Sequence, residues 1–103
     1  MPVIINFNQL PEYLQKYQGT IIGVSDWKLI DQTLINKFAE VTNDFNFIHI
    51  CPKQAKKTQF GSTIAHGFLT LSLISSFAVG IMPKIKDEHI AINYGFNKVR
   101  FMQ

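Results

Sequence analysis

The sequence is poor in cysteine, in charge and in breaks. Of its 103 residues only Cys51 carries a thiol, which excludes an internal disulfide framework and points to a reducing, cytoplasmic setting where stability comes from packing. The N-terminus lacks the basic-then-apolar order of a secretory leader. No Lys, Arg, Asp or Glu lies between Thr58 and Pro83. There is no repeat, low-complexity run or Gly/Ser/Pro linker, so the chain reads as a single domain, residues 1–103. Excess charge is scarce too: ten Lys+Arg against seven Asp+Glu leave +3. That falls short of the basic stripes that grip nucleic acid, so no nucleic-acid partner is expected, though it suffices for a phosphorylated small molecule.

What the chain does have is apolar surface, 47% of its residues. Folding of a chain this long buries roughly 65% of what the unfolded chain exposes, one modest core, provided that it closes its own sheet or bundle. Asn8 to Tyr17, with an early Pro11 and with Gly19 past its end, predicts a short helix. Thr20 to Trp27, carrying Ile21, Ile22 and Val24, reads as a strand. Asp31 caps a second helix with Leu34, Ile35, Phe38 and Val41 inward, Lys37 and Glu40 outward, and an end near Asn43. Residues 44–49 read as loop. Cys51-Pro52 opens a short helix carrying Lys53, Lys56 and Lys57, and Phe60-Gly61-Ser62 is a turn.

Within the uncharged stretch, Gly67 to Met82 raises the question of a membrane span. At ~1.5 Å per residue it reaches about 24 Å, short of the ~30 Å hydrocarbon core, and Thr70, Ser72, Ser75 and Ser76 dilute it. A buried helix is expected instead, with Leu69, Leu73, Phe77 and Ile81 on one stripe and Ser72, Ser75, Ser76 and Val79 on a smaller, more polar one. A charged connection, Lys84 to Glu88, then leads to a strand over 90–101.

Chemistry concentrates at Asp44 and His49, followed by Ile64-Ala65-His66-Gly67. A carboxylate and an imidazole on one segment can share a water molecule and move its proton in both directions near neutral pH. By spacing alone the plainer reading leads: Asp44 caps a turn and His49 is a satisfied, half-buried histidine. Gly67, opening the apolar helix, offers close approach to unpaired N–H groups, the setting for a developing oxyanion, or else merely permits tight packing. His66 reads as a structural hydrogen-bonding histidine, and His89 as surface. Asp44, His49, Cys51 and His66 are conceivable zinc ligands but lack CxxC or HExxH spacing, so no metal is expected. Cys51 is likewise not expected as a nucleophile beside His49.

Two motifs in order, Phe38-Ala39-Glu40-Val41-Thr42-Asn43-Asp44-Phe45-Asn46-Phe47-Ile48-His49 and Phe60-Gly61-Ser62-Thr63-Ile64-Ala65-His66-Gly67-Phe68-Leu69, resemble the signature of the MaoC-like, R-specific enoyl-CoA hydratases. Gly23-Val24-Ser25-Asp26-Trp27 and Asn93 to Phe101 are similar to the nodulation protein N-like branch. The resemblance spans about Gly19 to Phe101. It implies an α+β hot-dog fold, an antiparallel sheet wrapped around a long central apolar helix, here Gly67 to Met82. It implies a dimer or higher oligomer. It also implies hydration of the 2,3-double bond of an enoyl thioester to an R-3-hydroxyacyl-CoA, with coenzyme A as part of the substrate and no other cofactor. Asp44 and His49 would orient water and shuttle its proton, and the Gly67 N–H would hold the thioester oxygen. The substrate-binding set is then Ser75, Asn46, His66 and Phe47. One or two of Lys53, Lys56, Lys57, Lys98 and Arg100 would meet the phosphates of coenzyme A.

The chain departs from the pattern at Asn43, where Gly is frequent, at Phe47, where Pro is common, and at Cys51, where an acidic residue often stands. The first two alter the loop and narrow the acyl pocket; none removes a proton-transfer group. Two other readings stay open: a hot-dog acyl-CoA thioesterase, and a non-catalytic acyl-thioester binding module. Residues 83–103 hold only one connection and one long strand, so the domain is expected to be incomplete at its C-terminus, with apolar helix faces exposed.

Overall fold

The computed structural model of the chain describes residues 3–87 and 89–102. Glu88, the end of the expected charged connection, lies outside them. The chain divides into two compact units, Met1–Asp26 with Ser76–Gln103, and Trp27–Ser75.

In the first unit, β1 (Ile4–Ile5) leads through a 3-10 turn (Phe7–Gln9) into α1 (Leu10–Lys16), close to the predicted helix. Asn6 and Gln9 form a reciprocal capping box at the turn, and Pro11 sits where a missing N–H costs nothing. Gly19 takes φ +78° beyond the helix end. The Tyr13 and Tyr17 rings lie tilted against each other one turn apart, centroids 5.2 Å, and the side-chain hydrogen bond between them holds the Tyr13 phenol above its ordinary pKa.

The second unit is helical. α2 (Gln32–Thr42) starts where Asp31 accepts the Leu34 N–H at 2.9 Å, and ends at Asn43 in the left-handed region, φ 59°. It buries Ile35 and Ala39, one turn apart, while Val41 is 85% exposed. The small Ala39 faces inward instead of the bulkier Val41 because position i+4 from Ile35 continues the buried stripe. Lys37 and Glu40 point outward as expected. α3 (Phe47–Ile50) and α4 (Pro52–Ala55) follow directly, and Ala55 is fully buried. α5 (Gly67–Ser72), with Leu69 buried, completes the helices that lie wholly in this unit, and α6 (Ile74–Ala78) begins in it and ends in the first.

Four expectations need correction. The single helix from Gly67 to Met82 is broken at Leu73. There the Ser72 hydroxyl donates back to the Phe68 carbonyl at 2.6 Å and the Leu73 N–H turns to the Thr70 carbonyl at 3.2 Å, a tightening that ends an α-helix. The expected buried stripe therefore holds only at Leu69. The sheet is parallel and two-stranded, not antiparallel: β2 (Lys84–Ile85) pairs Ile4 with Lys84 and Ile5 with Ile85. The predicted strands over 20–27 and 90–101 are extended without regular pairing. A strand exists only where a second backbone completes its ladder, and among the described residues none lies along them. Their apolar side chains accordingly stand open, Ile21 at 81% and Ile92 at 83%. Finally, residues 47–49 are helix rather than loop, since Asn46 caps α3 by accepting the Ile48 N–H at 3.2 Å.

Among the described residues no helix is long and apolar enough to cross a membrane. Asn43 stands where the resemblance favours glycine, and its left-handed backbone explains both choices. Asn43→Gly is expected to leave stability within about 1 kcal/mol, whereas the β-branched Asn43→Val lowers it by about 1–2 kcal/mol, as read by urea unfolding.

Candidate functional site

The second unit packs its motif residues around two histidines. Asp44 leaves α2 just after the left-handed turn, its N–H donating to the Ala39 carbonyl at 3.1 Å and one carboxylate oxygen accepting the Asn46 N–H at 3.3 Å. His49, on α3, is 9% exposed; His66, immediately before α5, is 2% exposed. Their rings stack with centroids 3.9 Å apart and planes 23° apart, and Phe38 of α2 closes on His66 at 4.9 Å.

Each ring is pinned by a backbone carbonyl. His49 Nδ1 lies 2.8 Å from the Ile64 oxygen, and His66 Nε2 lies 3.1 Å from the Asp44 oxygen. A carbonyl only accepts, so these nitrogens carry the hydrogens, leaving a lone pair on His49 Nε2 and another on His66 Nδ1. His66 Nδ1 is buried without a partner. His66 thus ties the Asp44 backbone to the His49 ring, a structural role that agrees with its reading as a hydrogen-bonding histidine.

One ligand-type atom from each of Asp44, His49 and His66 lies within 4.8 Å of the others. Cys51, half-buried between α3 and α4, is not in the group. Ring lone pairs lie in the ring planes, so two stacked imidazoles aim alongside each other rather than at one point. To share an ion at the ~2.0–2.1 Å bonds of zinc they would have to unstack. The arrangement suits water and proton handling: a carboxylate beside an imidazole whose free nitrogen has a fixed lone pair.

The other expected site residues divide. Gly67 is the first residue of α5, and its N–H is not spent inside the helix. Asn46 uses its side chain to cap α3. Phe47 is 44% exposed; a shallow hollow of about 250 Å³ beside it is lined by Asn36, Glu40, Phe45 and Ile50 instead. Ser75 is exposed on α6 and makes no hydrogen bond to the pair, because the break at Leu73 interrupts the helix expected to carry it inward. Gln32, Thr63 and the Ile64 carbonyl escaped the sequence reading. Gln32 donates to the His49 carbonyl at 2.7 Å and accepts from Thr63 Oγ1 at 2.6 Å. Gln32 lies outside both motifs, and although Thr63 and Ile64 fall inside the second, bonds between distant segments leave no local signal of their roles.

The MaoC-like domain model matches residues 14–103. The chain belongs to the MaoC-like family. Nodulation protein N of Rhizobium leguminosarum bv. viciae is 49% identical over 85 residues, 82% of this chain and 53% of that protein. 3-Hydroxyacyl-thioester dehydratase Z of Mycobacterium tuberculosis H37Rv is 47% identical over 83 residues, 81% of this chain and 54% of the relative. 3-Hydroxybutyryl-CoA dehydratase of Methylorubrum extorquens is 45% identical over 49 residues, 48% of this chain and 31% of the relative. The chain spans about half the length of the first two. MaoC-like membership carries the hot-dog fold, of which the described residues form an α+β portion with few strands.

His66→Ala removes the ring stacked on His49 and the donor to the Asp44 carbonyl. A loss of about 2–4 kcal/mol in unfolding free energy is expected, and chemical denaturation measures it.

Proposed function

We propose that this MaoC-like chain carries the proton-transfer half of an R-specific enoyl-CoA hydratase, equally a 3-hydroxyacyl-CoA dehydratase in reverse. The observation supporting the reading most directly is the His49 ring, pinned through Nδ1 to Ile64 with its Nε2 lone pair left for a proton. The dehydratase names of two relatives point the same way.

In hydration, Asp44 accepts a hydrogen bond from the O–H that the water molecule keeps and holds its oxygen toward C3 of the enoyl thioester. His49 Nε2 takes the other hydrogen as the oxygen bonds to C3. The electrons of the double bond move onto the thioester oxygen, where the Gly67 N–H faces the developing charge. As this enolate collapses, His49 returns the proton to C2, so that H and OH have added and the base is regenerated. Coenzyme A enters only as part of the substrate, with lysines such as Lys53, Lys56 and Lys57 available to its phosphates. In the whole protein we assign the antiparallel sheet around a central helix, the homodimeric or larger assembly and the cytoplasmic setting to this same reading.

The full protein is expected to deplete the absorbance of a short or medium trans-2-enoyl-CoA without releasing free thiol. His49→Ala and Asp44→Asn should each slow this on the order of 10²–10⁴-fold. An unchanged rate in either variant would refute the mechanism. Thiol release from saturated acyl-CoA would favour the thioesterase, and tight binding without turnover the acyl-thioester binding module.

A further inference from the structure

We propose that Gln32 is a positioning residue whose side-chain amide fixes the orientation of the His49 imidazole. The proposal rests on the reading of His49 as the proton-transfer base. Gln32 is the first residue of α2, remote in sequence from the segments it joins, and half-buried. Its Nε2 donates to the His49 carbonyl at 2.7 Å and to Asn36 Oδ1 at 2.9 Å, while its Oε1 accepts from Thr63 Oγ1 at 2.6 Å. The His49 carbonyl can only accept, so the amide orientation is fixed: nitrogen toward His49, oxygen toward Thr63. Both amide hydrogens are used.

This amide grips both partners of the bond that sets the His49 tautomer. His49 is held by its own carbonyl, and Ile64, whose oxygen receives Nδ1–H, is held through the adjacent Thr63. The Ile64 N–H to Ile48 carbonyl bond, 2.9 Å, joins the same two segments. Both of these bonds act at Ile64, so the segments can still turn about that residue; the Gln32 bridge, acting at Thr63, supplies a separate point that stops the turning. Without it the Nδ1–H to Ile64 bond loosens, and the lone pair no longer stays on Nε2.

The test reads the ring itself. Nitrogen-15 NMR of the imidazoles in the full chain, near neutral pH, should give His49 as the Nδ1–H tautomer. In Gln32→Met, nearly isosteric but without the amide, the Nε2–H fraction should rise severalfold. Thr63→Val should act in the same direction, and Thr63→Ser should restore the original spectrum. Asp31→Ala, which removes the neighbouring cap of the same helix, should not change it, although it too weakens the fold. If His49 gives the same tautomer ratio in Gln32→Met and Thr63→Val as in the unsubstituted chain, the proposal is overturned. If Gln32→Met does not fold, Thr63→Val decides by the same criterion. Where hydration is measured, Gln32→Met should lower kcat about 10–100-fold with KM within about twofold. Absence of hydration by the unsubstituted protein would count against the functional reading alone, because the tautomer is read without turnover.

Discussion

The bond from His49 Nδ1 to the Ile64 carbonyl organises what surrounds it. It joins the end of α3 to the segment that precedes α5, two stretches far apart in sequence, and decides which imidazole nitrogen keeps its lone pair. Everything nearby supports that bond: the backbone pair between Ile64 and Ile48, the Gln32 bridge, and His66 lying flat against the ring while holding the Asp44 backbone. A buried polar network is worth having only when its members are satisfied. Here the exception is His66 Nδ1, a lone pair kept dry on the order of 1–3 kcal/mol above its solvated state.

The packing that houses this network is made of small parts. Ala39 and Ala55 have no exposure at all, and Ile35 and Leu69 provide aliphatic bulk. Alanine lets helix backbones approach closely, and α3 packs against both α2 and α4. Close packing also explains why polar side chains at the motif serve structure before chemistry. Asn46 begins a helix and Asn43 turns the chain through a left-handed residue.

Local signals were legible in the sequence and distant partnerships were not. The cap at Asp31, the end near Asn43, the Pro52 start and the turn at Gly61 were all readable, since each depends on residues within one turn of itself. The strands at 20–27 and 90–101 failed because β-branched alternation states a preference, while a strand also needs a partner. The expectation of an unbroken helix through Leu73 fails for a finer reason: Ser72 dilutes the apolar run, but its hydroxyl also competes for a backbone carbonyl. Asp44 and His49 stood out by chemistry and the structure brings them together with His66. Gln32 could not, because an ordinary helix-start glutamine reveals its role only once a carbonyl seventeen positions away is in reach.

The stacked rings have a magnetic consequence. With His49 and His66 centroids 3.9 Å apart and Phe38 at 4.9 Å from His66, the carbon-bound protons of each imidazole lie over a neighbouring ring and fall within its shielding cone. Parting the rings would move these resonances back toward their free-imidazole positions, so the chain carries a built-in gauge of whether its central rings remain face to face.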